Sequence, residues 1–536
     1  MGIWNISSGI LSCPAALFDL RLLMVQHNRT REYGNSSQNS RTRIVLIIGT
    51  LARVDAIVRD LCAWLEENNV DLGAEKNLFL VQSENNCEGR CVISQKDYEP
   101  NSTILEFPLK FQINYRNAFK SDSLVKFLDW YAKKHPPIGQ NLKLNRLDAL
   151  YLFMIEQKFA KNSFLSKFIN SLPHTYDTPE YFDKSLIDSL PDCFKRIILK
   201  RSQKLDLKFN FISNLLHECK KESQCKDIED LCTNFTRDNF RWIFCSVNSR
   251  CFHAKESEIC DKNEICQANK YFGKIKESDG EMQRAMKCSS LAEYERCLER
   301  SEEVRNNLCC LIPYLDFLNH SNEPNAFAFF DKDTQVFSLK SQASENLDCL
   351  AIRKGDQVYI TYGPHDNLTL LIEYGFIINN NVYDKLSFSF DTLKELIRVD
   401  DSTEQFIWNC CIQKNLLYDL TCDQSEGPSW SLLKFLDFIS CFDQTKNQSK
   451  KAKISTHDYN FYDINNFKDC KILFLKLLEN IGGDLDRSLQ KLEDLDDKVK
   501  KSYHFKMSRD LIKSYKLIVE FNTSLANDQE RWAMMF

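Results

Sequence analysis

The amino-acid sequence predicts an α+β fold, in which short β-strands lie on either side of a helical insertion and an all-α domain follows. β-favouring runs separated by turn residues occur over 86–108 and again from 311. Between these runs, and again after Phe376, apolar residues recur at steps of three and four, which is the spacing of a helix. With 43% hydrophobic and 27% charged residues, the 536-residue chain has the composition of a globular protein with more than one domain.

The elements divide the chain into three predicted parts. Residues 1–55 mix Ser, Asn and Arg with short apolar pieces of no steady period, which predicts an N-terminal extension of low order. Residues 56–380 form the second part, a small sheet with a helical insertion over about 120–300. Residues 385–536 are predicted to form a separate helical domain.

Within the second and third parts, individual segments have clear patterns. Helical spacing is present in DAIVRDLCAWLEENNV, KSDSLVKFLDWYAKK, LNRLDALYLFMIEQKFA, TRDNFRWIFCSVNSR, FLDFISCF and KILFLKLLENIG. The helical pattern is lost between about 254 and 300, a charged insertion that contains cysteines, where no active groups are expected. Strand patterns are present in LIPYLDFL, FAFFD, QVFSLKS and LAIRKGDQVYITYG.

Charge and missing motifs exclude several function classes. The net charge of −5 gives no basic field for a nucleic-acid backbone, whereas a mildly acidic surface suits a lysine-rich partner. The sequence contains no GxGxxG, GxxxxGK[ST], GxSxG or HExxH motif, which argues against dinucleotide enzymes, P-loop enzymes, serine hydrolases and zinc proteases. The apolar run IVLIIGTLA is shorter than the ~20 residues that a membrane span requires, so no membrane association is expected.

The 22 cysteines predict free thiols in a reducing compartment, because their density is below that of a disulfide scaffold. No CxxC occurs, and the nearest spacings, such as Cys245/Cys251 and Cys260/Cys266, do not form the paired hooks of a zinc site. We therefore predict no metal site from the sequence.

The run LIPYLDFLNHSNEPNA, 311–326, ends an apolar segment on Asn319 and His320. Taken alone, such polar groups are more often a structural cap than a reaction site. A reaction site is favoured instead when the run is considered together with other short pieces of the chain. These pieces are Glu88-Gly89-Arg90, CSVNSR ending at Arg250, YLDFLNHS with Asp316, Tyr362-Gly363, and EYGF with Tyr374 and Phe376.

Together these pieces resemble the SET-domain methyltransferases, most closely the Rubisco large-subunit methyltransferase-like class, which has an inserted SET domain and a helical domain after it. The resemblance covers roughly 55–536 and is strongest over 311–378. It implies a pseudoknot-like C-terminal segment of the SET domain and S-adenosylmethionine as the cofactor. Tyr362 matches the family's catalytic tyrosine. The residues that the resemblance assigns to the cofactor are Glu88, Gly89, Arg90, Arg250, Asn319, His320, Tyr362 and Phe376.

The resemblance also assigns Asp316 and Tyr374 to the acceptor. Each position has a plainer alternative: surface charge for Glu88 and Arg90, a solvated helix end for Arg250, and core packing for the aromatic rings. For Asp316 the alternative is to satisfy turn amides. Cys91 stands where the family's Gly-Arg-Gly loop has its second glycine, which puts the details of that turn in doubt.

The resemblance implies a metal-independent protein-lysine N-methyltransferase. A free lysine has a pKa of ~10.4, so presenting the neutral amine at neutral pH costs roughly 4 to 5 kcal/mol, which an apolar channel reduces. Alignment of sulfur, methyl and nitrogen can contribute ~7 to 11 kcal/mol without a metal. The expected partner is a protein substrate, a histone tail or a non-histone protein, and the expected location is the cytoplasm, the nucleus or both. Protein-histidine methylation and a non-catalytic SET-fold interaction module are the alternatives.

Overall fold

The computed structural model describes residues 56–72, 78–82, 90–135, 143–223, 228–273, 307–343, 350–397, 399–442 and 467–535. The predicted N-terminal extension, 1–55, and positions 274–306 of the insertion lie outside these ranges. The chain divides into a unit that ends at Arg59 and a unit from Asp60 to Phe536, and the second unit contains the sheets and the site.

The strands are short, as the sequence predicts. They are β1 (Leu78–Gln82), β2 (Arg90–Ser94), β3 (Thr103–Pro108), β4 (Phe252–Lys255), β5 (Asn307–Cys310), β6 (Asn319–His320), β7 (Ala326–Asp331), β8 (Val336–Ser341), β9 (Tyr359–Ile360), β10 (Lys385–Ser387) and β11 (Thr421–Asp423).

The helices before the C-terminal region are α1 (56–67), α2 (Asp122–Lys134), α3 (Arg146–Phe159), α4 (Ser166–Ser171), α5 (Lys184–Ser189), α6 (Asp192–Ser223), α7 (Glu229–Asn234), α8 (Arg237–Arg250), α9 (Glu256–Ile259), α10 (Lys262–Phe272) and α11 (Asn367–Tyr374). Those that follow are α12 (Phe390–Lys394), α13 (Asp401–Gln413), α14 (Trp430–Ser440), α15 (Phe467–Glu493), α16 (Asp497–Lys500), α17 (Tyr503–Asn527) and α18 (Gln529–Ala533).

Two local predictions were wrong. LIPYLDFL is not a strand: the strand β5 ends before it, Tyr314 has a φ of 78°, and the next three residues form a 3-10 turn. Pro313 lacks a backbone donor, so a ladder could not run through this segment. The segment after 254 is not without helices, because α9 and α10 occupy it. Asp261 caps α10 in a capping box with Glu264, a local signal that apolar spacing alone does not detect.

The sheets bring distant segments together. β8 lies between β3 and β7 in an antiparallel sheet, and Phe337 of β8 is paired with Phe107 on one side and Phe330 on the other. β6 and β9 run parallel, with Asn319 beside Tyr359. The backbone N–H of Val358 donates to the Val92 carbonyl oxygen at 2.8 Å, so the segment that leads into β9 also lies against β2.

The helices after β10 share one apolar core with α5, the first turns of α6, and α11. Leu371 and Ile372 of α11 are buried in this core together with residues such as Leu436 and Leu511. Packing against the C-terminal helices therefore fixes the position of α11. It also fixes the position of the residues at the end of α11. The division into a SET domain over 56–380 and a helical domain over 385–536 stays a prediction. None of the helices in the described ranges combines the length and apolarity that a bilayer crossing requires.

Candidate functional site

The polar run after Leu318 joins three segments of the chain. The side-chain amide of Asn319 donates to the carbonyl oxygen of Arg90 at 3.1 Å, which ties β6 to the start of β2. The amide of Asn325 donates to the Gln357 carbonyl oxygen at 2.8 Å, and its oxygen accepts from the backbone N–H of Tyr359 at 2.8 Å. The run is therefore a junction between β2, β6 and the segment that carries β9.

His320 is buried at this junction, and both of its ring nitrogens have protein partners. Nδ1 accepts from the backbone N–H of Tyr362 at 3.0 Å, and Nε2 lies 3.2 Å from the side-chain oxygen of Asn322. Since Nδ1 accepts, a neutral ring carries its proton on Nε2 and donates it to Asn322. Burial lowers the pKa of His320, which favours this neutral form. Asn322 in turn donates to the Asn381 side-chain oxygen at 2.9 Å, so the ring is fixed by a chain of amides.

Tyr362 follows β9, and the parallel pairing of β6 with β9 places it beside His320. Its hydroxyl donates to the carbonyl oxygen of Leu318 at 2.7 Å, and its ring centroid lies 5.2 Å from that of His320. Burial raises the pKa of Tyr362 to about 12. At neutral pH the hydroxyl is therefore a protonated donor with a defined direction.

Two more aromatic rings close around Tyr362. The Tyr374 centroid lies 4.8 Å from that of Tyr362, and the Phe376 centroid lies 6.2 Å from each of them and 6.1 Å from that of His320. The turn at Gly375 allows both rings to face the site: its φ is +80°, and an added Cβ would lie 2.8 Å from the backbone carbon of Asp177. The result is an aromatic enclosure around the Tyr362 ring.

Arg250 and Asp316 form an ion pair close enough to Tyr362 to interact with it electrostatically. One terminal nitrogen of Arg250 donates to the Asp316 carbonyl oxygen at 2.9 Å and to its Oδ2 at 3.0 Å. The side chain of Asp316 is 0% exposed and that of Arg250 is 19% exposed, so the pair is mostly shielded from water. Burial raises the pKa of Asp316, whereas the Arg250 charge opposes that rise.

Arg90 brings a second cation to the same place. Its guanidinium lies 5.0 Å from the Phe317 ring centroid, and that of Arg250 lies 5.8 Å from it. Arg90 also donates to the Ser171 carbonyl oxygen at 2.7 Å. Burial, and then the nearby Arg250 charge, lower the pKa of Arg90, while Asp316 opposes both effects. Two guanidinium groups thus share one carboxylate, which leaves a local excess of positive charge.

Two polar atoms of this cluster are buried and have no hydrogen-bond partner in the structure: Nε of Arg250 and Oδ1 of Asp316. Buried polar atoms in folded proteins are nearly always paired, so an unpaired donor beside an unpaired acceptor indicates a place for a ligand or water. The chemistry of the pair suits a small molecule with both a carboxylate and an amine.

Comparisons with known proteins identify the fold that holds this site. No protein-family profile matches the chain. A solved SET domain of LSMT bound to lysine and AdoHcy superposes with a TM-score of 0.55 at 16% identity, over 89% of this chain and 92% of that one. Rubisco LSMT bound to AdoMet superposes with a TM-score of 0.53 at 16% identity, over 89% of this chain and 93% of that one. The chain has the SET-domain fold.

Three curated proteins are similar to this chain over more than half of its length. SET domain-containing protein 4 of Artemia parthenogenetica is 25% identical over 72% of this chain and 78% of that protein. The Mus musculus protein of the same name is 23% identical over 71% of this chain and 72% of that protein. Human actin-histidine N-methyltransferase is 22% identical over 62% of this chain and 45% of that protein.

The predicted α+β class and the predicted resemblance to SET-domain proteins are therefore confirmed. Within that resemblance, the segments YGPHDNLTLLIEYGFI and GPSWSLLKFLDF look particularly like SET domain-containing protein 4, and the similarity to curated relatives of that name confirms this.

The SET-domain fold brings together most of the predicted site residues, whose individual roles stay predictions. Those gathered around Leu318 are Arg90, Arg250, Asp316, Asn319, His320, Tyr362, Tyr374 and Phe376. Glu88 and Gly89 lie outside the described residues. The sequence suggested that Asp316 binds the acceptor or satisfies turn amides. In the structure its carboxylate instead forms a buried ion pair with Arg250. His320 would contact a cofactor through its backbone, since both ring nitrogens bind protein groups.

Sequence reasoning missed three members of the site. They are the Leu318 carbonyl that accepts from the Tyr362 hydroxyl, the Asn322 amide that fixes His320, and Tyr176, whose hydroxyl donates to Ser246 at 2.6 Å. Burial raises the pKa of Tyr176 to about 12, and the nearby Arg250 opposes that rise. Asn322 had a detectable signal, because it lies in the same polar run as His320. The Leu318 main-chain carbonyl, and a tyrosine 74 positions before Arg250, have no such signal in the sequence.

Proposed function

We propose that this chain is an S-adenosylmethionine-dependent protein-lysine N-methyltransferase. The observation that carries the proposal is the Tyr362 hydroxyl, which is fixed by the Leu318 carbonyl inside the rings of Tyr374 and Phe376. A transfer that proceeds by in-line displacement needs an acceptor amine held at one place and in one direction. A protonated phenol beside a main-chain carbonyl is a rigid polar element that can do this.

The ion-pair cluster fits the cofactor. S-adenosylmethionine supplies an electrophilic methyl group on a sulfonium and carries a carboxylate and an ammonium on its amino-acid portion. The unpaired Nε of Arg250 is a donor for a carboxylate, and the unpaired Oδ1 of Asp316 is an acceptor for an ammonium. The surplus positive charge from Arg90 favours the carboxylate. We assign the amino-acid portion to this cluster, and the rest of the cofactor to Asn319, the His320 backbone and Phe376.

The aromatic enclosure fits a lysine side chain. The rings of Tyr362 and Tyr374 would pack against the methylene stem and would limit hydration of the ammonium. Loss of hydration lowers the pKa of a buried amine, and only the neutral amine has the electron pair that attacks. The carbonyl of Leu318 has a second lone pair beyond the one that accepts from Tyr362, so it can orient an amine proton.

Protein-histidine methylation is the second candidate, because the chain is also similar to human actin-histidine N-methyltransferase. An imidazole is planar, and its neutral form is abundant at neutral pH, so it requires less desolvation than a lysine. The acceptor proposed first is a lysine of a histone tail or of a non-histone protein, in the nucleus or the cytoplasm. Incubating the enzyme and labelled cofactor with histones and with actin, followed by peptide mass spectrometry, identifies whether lysine or histidine gains the methyl group.

The first experiment is calorimetric titration of the purified chain with S-adenosylmethionine and with S-adenosylhomocysteine. We expect saturable binding of both molecules and its loss in the Asn319→Ala/His320→Ala double variant. Glu323→Ala is the matched control, because Glu323 is exposed in the same polar run. Circular dichroism and thermal unfolding establish that each variant is folded. A folded wild-type chain that binds neither molecule would refute the proposal and would favour an interaction module.

A further inference from the structure

A second cluster of reactive side chains lies on the hairpin of β4 and β5. His253 of β4 is directly opposite Cys309 of β5 in the antiparallel register. Cys251 precedes His253 by two positions, so both side chains project from the same face of the hairpin. Three residues with nitrogen or sulfur ligand atoms thus share one surface, although 58 positions separate Cys251 from Cys309.

The ligand atoms of these residues are close to one another. The Cys309 sulfur lies 3.7 Å from Nδ1 of His253, the Cys251 sulfur lies 3.9 Å from Nε2 of the same ring, and all three ligand atoms lie within 4.8 Å of one another. In a tetrahedral zinc site, bond lengths of about 2.3 Å to sulfur and about 2.05 Å to nitrogen place neighbouring ligands ~3.6 to 3.8 Å apart. Shifts below ~1 Å and a rotation of the imidazole would complete three corners of that tetrahedron.

We propose that Cys251, His253 and Cys309 bind a divalent transition metal, with Zn²⁺ as the expected ion. Two sulfurs and one imidazole nitrogen form a ligand set that zinc prefers and that Mg²⁺ and Ca²⁺ do not. Three protein ligands leave a fourth position for water or for an exogenous group. This site revises the expectation, drawn from local cysteine spacing, that the chain has no metal site.

The cluster adjoins the proposed active site. Cys251 directly follows Arg250, and β5 ends at Cys310, six positions before Asp316. A metal here would cross-link the two strands that lead into the Arg250–Asp316 pair, so we expect it to stabilise the fold around that pair.

The test is metal binding by the full chain, purified with a reductant and stripped by a chelator. Zn²⁺ is titrated in competition with a chromogenic chelator, and Co²⁺ is used as a spectroscopic probe of thiolate ligation. We expect tight binding of Zn²⁺ and a sulfur-to-cobalt charge-transfer band. In Cys251→Ser and in Cys309→Ser, the affinity should fall by more than the ~10- to 100-fold that loss of an outer-shell partner costs, and the cobalt band should weaken. Cys266→Ser is the matched control, because Cys266 is exposed on the neighbouring helix α10.

Three results would overturn the inference. They are a wild-type chain that binds no Zn²⁺, a Zn²⁺ affinity in Cys251→Ser and Cys309→Ser that equals the wild-type affinity, or a Cys251–Cys309 disulfide in protein kept under reductant. A variant that fails to fold is replaced by His253→Gln, whose exposed side chain tolerates substitution. Because no cofactor is present in the titration, failure here leaves the methyltransferase proposal standing, and the reverse also holds.

Discussion

Tyr362→Phe removes one oxygen atom from the proposed active site and keeps the ring. The lost group is the hydroxyl that donates to the Leu318 carbonyl at 2.7 Å, whereas the tilted ring contacts with Tyr374, at 4.8 Å between centroids, and with His320, at 5.2 Å, remain. Leaving the carbonyl oxygen without this donor costs ~1 to 3 kcal/mol, which is a fraction of the ~5 to 15 kcal/mol that typically separates folded and unfolded states. We therefore expect a folded variant with modestly lowered stability.

The rate of methyl transfer by Tyr362→Phe should fall strongly, although the variant stays folded. If the hydroxyl holds the acceptor, its loss is comparable to that of one preorganised catalytic donor, about 10²- to 10³-fold in kcat. The affinity for S-adenosylmethionine should change by less than the tenfold that ~1.4 kcal/mol represents. The reason is that the cofactor contacts proposed from the structure, at the Arg250–Asp316 cluster, Asn319, the His320 backbone and Phe376, do not use the hydroxyl. Single-turnover transfer of a labelled methyl group to the acceptor found by mass spectrometry measures the first quantity, and calorimetry measures the second.

The matched control is Tyr383→Phe, which removes the same atom from a ring that is 40% exposed outside the site. We expect this control to keep wild-type transfer and affinity. Unchanged kcat in Tyr362→Phe would refute the role assigned to the hydroxyl. Lost cofactor affinity in a folded Tyr362→Phe variant would show instead that the hydroxyl belongs to the cofactor site.

Three further predictions concern stability. Arg250→Met leaves the Asp316 carboxylate buried without its partner, so the free energy of unfolding in urea should fall by ~3 to 5 kcal/mol, with partial recovery when Asp316→Asn is added. Gly375→Ala forces a Cβ to 2.8 Å from the backbone of a neighbouring segment at a φ of +80°, so its Tm should drop, whereas Gly483→Ala inside helix α15 should be neutral or slightly stabilising. Burial lowers the pKa of His320 below 6.5, so the stability that its neutral form contributes is complete above pH ~6.5 and is lost as the pH falls through the lower folded-state value. The difference in unfolding free energy between wild type and His320→Gln should therefore shrink from pH ~7.5 to pH ~5.

Each of these predictions can fail in a recognisable way. An Arg250→Met variant as stable as the wild type would mean that Asp316 is protonated in the folded chain. Equal Tm values for Gly375→Ala and wild type would contradict the close approach of the two backbones. A difference for His320→Gln that is constant with pH would mean that its folded-state pKa is not lowered.

Local patterns were enough to predict much of the fold. Helical spacing in TRDNFRWIFCSVNSR predicted α8, and the β-rich run QVFSLKS, bounded by turn residues, predicted β8. The two wrong predictions concern segments whose structure does not depend on a repeating apolar spacing. A proline and a positive φ at Tyr314 turned an apolar run into a 3-10 turn, and a cap rather than an apolar stripe defined α10.

The residue types of the proposed site were also evident from the sequence, since an Asn-His pair, a YG and an EYGF are unusual when they occur together. The amino-acid order is enough to identify the available side chains, the α+β class and the resemblance to SET-domain proteins. The pairing between those side chains depends on the folded chain. Parallel pairing of β6 with β9 set the Tyr362 hydroxyl on the Leu318 carbonyl, and the hairpin of β4 and β5 set Cys309 beside His253. The physical reason is that hydrogen bonds and ligand contacts act over a few ångströms in space, whereas the partners here are 44 and 56 positions apart along the chain.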